Sequence, residues 1–361
     1  MPSLRWTSLA TVAVLVVAGC GVGGPLPSSA GPSGPPASGS PPPSATPPAD
    51  CPNFVEVVET GPLPGDDGAE DGPVAREQDR LRADVEAASA YGAAHTGEFA
   101  SIRFENGPRV RIVIGFTTRL AEHCAALRSI LEYPDEFEII RQPTTAARLE
   151  EIQREIMVLA GDRMQSTGIG AGTIDIQLRA DGEAIADRIQ AAYGEIVTIT
   201  VGMLRYPDRS LPADASCALL PDPIISETPL VAEAALDVAA VRPGADFRGT
   251  VTVTNTGPEI VEFASGDPMT AVVFRAGSNR PVGGFTGAIG GVGTGGTLAP
   301  GDSLDIGVLG GTASCDPALG YALPPGRYDV RVPVDQYTMR DNAPTEISYL
   351  LSEPVPLTIV P

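Results

Sequence analysis

The sequence predicts an α+β chain of two domains: an N-terminal α/β sandwich with duplicated βαβ units, then a C-terminal all-β sandwich. Three observations carry that expectation. Between Pro73 and Val201, apolar stripes at helical spacing are interleaved with short runs that alternate apolar and polar residues. After about Leu211 the helical period disappears, and β-type runs recur between turn residues. At 361 residues the chain has the length of about two domains.

In the first domain, Pro73 opens a predicted helix that continues to about Ala90. Phe99–Glu105 and Arg109–Phe116 are predicted strands, the second alternating at Val110, Ile112 and Ile114, and Asn106-Gly107 between them marks a hairpin. Leu120, Cys124, Leu127 and Leu131 form one helical stripe, so Cys124 faces the core, as either a bridged cysteine or an inert thiol. Glu136–Arg141 reads as a strand, and the next helix buries Leu149, Ile152, Ile156 and Leu159. Thr173–Leu178 is a strand, Asp181 an N-cap, Ile185 and Ile189 a core face, Gly194 the C′ residue, and Glu195–Val201 the closing strand. Arg109–Arg141 and Thr173–Val201 therefore read as two βαβ units joined by one helix. With its helix LEEIQREI (Leu149–Ile156), this layout resembles the propeptides of secreted actinobacterial serine proteases over about 100 residues. No protease domain follows, so the likeness does not transfer a chaperoning role.

In the second domain the predicted strands are Leu236–Val241, Arg248–Asn255, Glu259–Phe263, Thr270–Arg275, Ser303–Val308, Tyr328–Val334 and Val355–Val360. About seven strands with this punctuation predict an immunoglobulin-like sandwich. VTVTNTG (Val251–Gly257) resembles the B-strand and turn of bacterial Ig-like modules. Leu323-Pro324-Pro325-Gly326-Arg327-Tyr328, followed by DVRV, resembles a tyrosine corner, in which the hydroxyl bonds back to the preceding loop. Together with LAPGDS (Leu298–Ser303) it is similar to the bacterial intracellular proteinase inhibitor family, which implies a β-sandwich and raises inhibition as a function. Gly283–Gly296 holds eight glycines in fourteen residues, lacks the GK[ST] ending of a phosphate loop, and reads as a mobile inter-strand loop.

Ahead of both domains, Met1–Gly19 reads as a secretion signal, with Arg5 before an apolar run from Leu9 to Ala18 that is too short to span a bilayer. Val17-Ala18-Gly19-Cys20 resembles the lipobox of bacterial lipoproteins. That likeness implies a diacylglycerol thioether on Cys20, cleavage that leaves Cys20 first, and a lipid anchor on the outer face of the cell membrane. From Gly21 to Asp50, 22 of 30 residues are Pro, Ser or Gly, a composition that cannot build a core and forms an extended tether. The expected organisation is residues 1–19 signal peptide, 20–50 lipidated cysteine and tether, 51–208 α/β domain, and 209–361 β-sandwich.

Charge and cysteine usage narrow the chemistry. The 24 basic side chains are all Arg and the 45 acidic ones give a net charge of −21, which would be repelled by a nucleic-acid backbone. Apart from Cys20, the four cysteines Cys51, Cys124, Cys217 and Cys315 suggest two disulfides with three possible connectivities. Cys51–Cys124 with Cys217–Cys315 is preferred because each bridge then stays within one domain. Zinc is disfavoured: no CxxC spacing occurs, and only His95 and His123 could supply imidazole. The acidic loop Asp66–Asp71 fails the EF-hand order, since a count from Asp67 puts Ala69 third and Gln78 twelfth. Gly301-Asp302-Ser303-Leu304 spells the GDSL signature of a hydrolase family, but no histidine follows His123, so Ser303 would lack its base. The sequence thus leads to no catalytic residue, metal or cofactor. It leads to a non-catalytic envelope lipoprotein that binds a protein or cell-envelope partner. The alternative is an extracytoplasmic protease inhibitor or regulator, and a third class is an acid-only enzyme acting on glycans.

Overall fold

The computed structural model describes residues 54–55, 72–106, 109–170, 172–212, 217, 228–289, 292–340 and 343–361. The predicted signal segment, Cys20, the predicted tether, Cys51, residues 66–71 and Gly107 of the predicted hairpin turn lie outside them. The described helices and strands are arranged as a mixed α+β fold with several sheets. Residues 47–361 form one compact unit.

The α/β part holds β1 (Phe54–Val55), α1 (Pro73–Arg80), α2 (Arg82–Ala94), β2 (Phe99–Glu105), β3 (Arg111–Phe116), α3 (Leu120–Ile130) and β4 (Phe137–Arg141). It continues with α4 (Ala146–Ala160), β5 (Met164–Ile169), β6 (Ile174–Leu178), α5 (Glu183–Tyr193), β7 (Val197–Val201) and β8 (Leu204–Arg205). Two four-stranded sheets result, in the orders β1-β4-β3-β2 and β5-β6-β7-β8. The same sequence of moves occurs twice. A helix leads into an antiparallel hairpin (β2–β3, then β5–β6), and a second helix crosses over to a parallel strand (β4, then β7).

The repeating unit is therefore αββαβ, longer than the βαβ read from the sequence. The missed strand is β5, MQSTGI, which is half-exposed at a sheet edge and shows no apolar alternation. The predicted helix from Pro73 is broken at Leu81, whose own side chain is fully buried in the first repeat's core. Asp181 does not cap α5; Gly182 stands there without a side-chain cap. The Asp181 carboxylate is drawn instead to Arg163, at 3.0 Å, and Arg179, at 3.9 Å. Leu120, Cys124, Leu127 and Leu131 are buried as the stripe requires, and so are Leu149, Ile152 and Ile156, while Leu159 and Ile185 are only partly buried.

The all-β part contains β9 (Leu230–Leu236), β10 (Ala240–Val241), β11 (Asp246–Asn255), β12 (Val261–Asp267), β13 (Met269–Thr270), β14 (Val272–Arg275) and β15 (Pro281–Gly284). It continues with β16 (Val292–Leu298), β17 (Ser303–Gly311), β18 (Ala313–Ser314), β19 (Gly326–Arg331), β20 (Pro333–Arg340), β21 (Ala343–Leu351) and β22 (Val355–Ile359). A six-stranded sheet, β10-β22-β19-β14-β15-β18, and a four-stranded one, β13-β17-β11-β9, share one core. Val251, Val253, Ile306 and Val308 reach it from one side, and Val273, Val330, Leu357 and Ile359 from the other. Two further pairs, β12–β16 and β20–β21, complete the set.

Four of the predicted strands are redrawn. The first lies at Leu230–Leu236, where small Ala232 and Ala234 alternate toward the core; of the predicted run Leu236–Val241, Leu236 ends that strand and Ala240–Val241 form a short one of their own. The Glu259–Phe263 run begins at Val261 and extends through Asp267. The Thr270–Arg275 run changes sheets at Ala271, since Met269–Thr270 pairs with β17 while β14 joins the larger sheet. The Tyr328–Val334 run breaks at Val332 because Pro333 has no N–H for a ladder. The glycine-rich segment read as a loop is strand at Gly283–Gly284, the end of β15, and again from Val292 on, paired with β12; a Cβ on Gly295 would stand 2.4 Å from the Phe263 carbonyl oxygen. Tyr328 Oη donates to the Pro324 carbonyl at 2.9 Å, the bond expected of a tyrosine corner.

The two parts touch through specific groups. Tyr321, from the all-β part, is 3% exposed within the core of the second αββαβ repeat. Arg179 on the α/β side pairs with Asp246 at 2.8 Å, and the Gln165 amide donates to Thr286 Oγ1 at 2.8 Å. Among the described residues, no helix is long and apolar enough to cross a membrane.

Candidate functional site

The cysteines settle into structural positions. Cys217 and Cys315 are disulfide-bonded, with Cα atoms 5.2 Å apart. Cys124 is also disulfide-bonded and fully buried in α3; its partner lies outside the described residues, as do Cys51 and Cys20. Ser303 of the GDSL segment opens β17 and its hydroxyl is 2.8 Å from Thr254 Oγ1. Gly301 there adopts φ +86° and Asp302 accepts from the Ala299 N–H at 3.0 Å, so the segment is a tight turn that feeds a strand. Among the described residues, no three His, Cys, Asp or Glu side chains converge as metal ligands.

A concave surface exists on the second repeat. Strands β6 and β7 turn Ile174, Ile176, Leu178, Val197, Ile199 and Val201 toward helices α4 and α5. Period-2 alternation then forces Asp175, Gln177, Thr198 and Thr200 onto the opposite face. With Ser166 of β5 and Arg205 of β8 they line an open hollow of about 580 Å³, walled at one side by Pro212. The Gln177 amide donates to the Thr286 carbonyl at 3.2 Å, which fixes one wall against the all-β part. Arg163, Arg179 and Arg209 are held by carboxylates. Asp175 and Arg205, by contrast, have no ion-pair partner among the described residues. The hollow thus offers one anion, one cation and neutral hydroxyl and amide groups.

The first repeat contains a polar knot that sequence reading missed. His95 follows α2 and His123 lies in α3, yet their rings stand 5.3 Å apart. His123 is 2% exposed and stacks on Phe116 at 3.9 Å. Its Nε2 is 3.0 Å from Glu98 Oε2, and its Nδ1 is 2.9 Å from Tyr91 Oη. An ionised carboxylate only accepts, so Nε2 carries the proton and Nδ1 accepts from the phenol. Glu98 is further held by Arg119 and by the Thr118 hydroxyl at 3.0 Å. Hydrogen bonding from Arg119, then from His123, holds its carboxyl down at about 2. Burial lowers the His123 imidazole and raises the Tyr91 phenol. At neutral pH the knot is a neutral phenol, a neutral imidazole and a closed Arg–Glu pair. A raised phenol is a poor nucleophile and an enclosed imidazole meets no substrate, so the arrangement ties α2, β2 and α3 together. The signal that pointed to it was the presence of two histidines in all, but joining them required the β2–β3 hairpin to bring Glu98 beside α3.

No family model matches the chain, and no curated protein does. Among solved structures, a β-glucosidase from Erythrobacter marinus is 15% identical over 36% of this chain, with a TM-score of 0.22. The sporulation control protein Spo0M of Bacillus subtilis is 14% identical over 37% of this chain, also at 0.22. The chain spans 15% and 50% of the lengths of those two structures. The human F-spondin reeler domain is 12% identical over 37% of this chain and 90% of its own, at 0.18. Likeness at this level carries no argument about fold or activity.

Proposed function

We propose that the chain is a lipid-anchored extracytoplasmic lipoprotein whose folded part is a non-catalytic binding module of the cell envelope. The hollow on the second repeat carries this reading. It presents Asp175 and Arg205, which form no salt bridge among the described residues, beside the hydroxyls of Thr198 and Thr200, a surface that gains by pairing with the polar groups of a ligand. The address rests on the Val17–Cys20 likeness to a lipobox and on the Pro/Ser/Gly spacer after it. An immunoglobulin-like sandwich as the second domain, beginning at residue 209, is supported by the shared two-sheet core and the Tyr328 corner.

A photo-crosslinking side chain placed at Thr198 of the full-length protein, in intact envelopes, tests the reading. Adducts should form there, fall about tenfold in Asp175→Asn and Arg205→Ala chains, and be absent from the same probe at Val158, which is 85% exposed on α4. Equal adducts at both positions, or none at Thr198, overturn it. Cys20→Ala should move the protein from the membrane to the soluble fraction. The inhibitor alternative draws on the corner and the LAPGDS turn; unchanged activity of secreted serine proteases in the presence of the chain removes it.

A further inference from the structure

Among the described residues, strand β16 has one backbone edge without a partner. It pairs with β12 from Val261–Leu298 to Asp267–Val292 without a bulge, and the two strands form a sheet of their own. Among the described residues, no backbone hydrogen bond links Val292–Thr297 to any other element. Glycine reports the exposure of its backbone directly, because it has no side chain, and Gly293, Gly295 and Gly296 are all exposed. Nothing stands within 4 Å of where a Cβ on Gly293 or Gly296 would sit, and Val292 is 71% exposed. Folded proteins guard such edges with charged side chains, proline, bulges or a covering element. The strand VGTGGTL has no charge and no proline, its register has no bulge, and Gly293 and Gly296 lie open.

We propose that the outer edge of β16 is a strand-addition site for an extended polypeptide segment of a partner protein. This rests on the binding-module reading but uses a second surface. An edge of alternating N–H and C=O groups is complemented by another extended main chain at the same spacing of about 4.8 Å. Since β16 offers bare backbone in place of side-chain pockets, the segment it takes is small or β-branched and read through its main chain. Its charge is neutral or basic, because this chain carries −21 and repels an acidic partner. The same repulsion disfavours a second copy of this chain on the edge.

The test uses the full-length chain and a capped peptide of alternating Thr and Val flanked by Arg. The control is the same peptide N-methylated at alternate amides. Saturable binding is expected with amide exchange in Val292–Leu298 slowed about tenfold, and about tenfold weaker binding of the methylated peptide. Adjacent residues of a strand direct their N–H groups alternately to either side. Of Gly296→Pro and Thr297→Pro, one therefore breaks the ladder to β12 and lowers the melting temperature. The other keeps the fold and loses the peptide. Unslowed exchange, equal binding of both peptides, or full binding by both proline chains overturns the proposal. Concentration-dependent dimerisation that protects the same amides without peptide also overturns it, by assigning the edge to a second copy. Envelope adducts at Thr198 without peptide binding would sink the edge site alone; peptide binding without adducts would sink the hollow as a binding surface.

Discussion

At His123, desolvation and hydrogen bonding act in opposite directions. Burial disfavours the imidazolium, while the Glu98 carboxylate favours it, and burial prevails, so the imidazole is held below its ordinary value of 6.5. The sign of the consequence follows by linkage. Below about pH 6.5 the unfolded chain takes up this proton and the folded chain resists, so stability is full above that pH and declines as the pH falls. A second decline belongs to Glu98, whose carboxyl is lowered from 4.5 to about 2: its contribution is present above pH 4.5 and is lost toward pH 2. Urea denaturation at a series of pH values should show the first decline in the native chain and its absence in His123→Gln; an unchanged slope between pH 7 and 5 would show that the imidazole is not enclosed. Tyr91→Phe should cost about 1 kcal/mol by leaving Nδ1 without its donor.

Both helix exits of the second repeat turn on a glycine. Gly161 after α4 has φ +53° and ψ −128°, and Gly194 after α5 has φ +57° and ψ −129°. Nothing stands within 4 Å of a Cβ at either position, so the cost of a substitution there is conformational and not steric crowding. Gly161→Ala and Gly194→Ala should each lose about 1–3 kcal/mol in urea denaturation. Asn should not restore it, because Asn suits the left-handed helical region near ψ +47° and not this one. Gly194 was legible in the sequence, since it follows a clear apolar stripe; Gly161 was hidden behind the unread strand β5. The same division holds elsewhere. Strands buried on at least one face, such as β3, β6 and β11, announce themselves by alternation, whereas β5 and β16 lie at edges where no second side selects apolar residues. The polar face of the hollow was written in Asp175, Gln177, Thr198 and Thr200, although the sequence does not show that two such strands lie side by side. The knot around His123 draws on α2, α3 and the turn before β2, and no local pattern could assemble it.

On the scale of the whole molecule, the α/β and all-β parts share a core. Tyr321 follows Cys315 in the all-β part, yet it is buried among the side chains of the second repeat. Arg179–Asp246 closes the seam at 2.8 Å, and burial raises the Asp246 carboxyl despite that partner. A shared core couples the two parts, so they should unfold in one transition, although the sequence divides cleanly near residue 209. Tyr321→Ala removes a buried ring and should cost about 3–5 kcal/mol. The discriminating readout is where that loss is felt. The one tryptophan, Trp6, lies outside the described residues, and amide exchange near the global limit is the measurement to make. With coupled parts, protection should fall together in Leu149–Val201 and in Leu230–Ile359. If it falls only in the first span, the ring fills a local pocket and the two parts stand independently; the stability of the concave face would then be set within the α/β part, without support from the wall at Thr286.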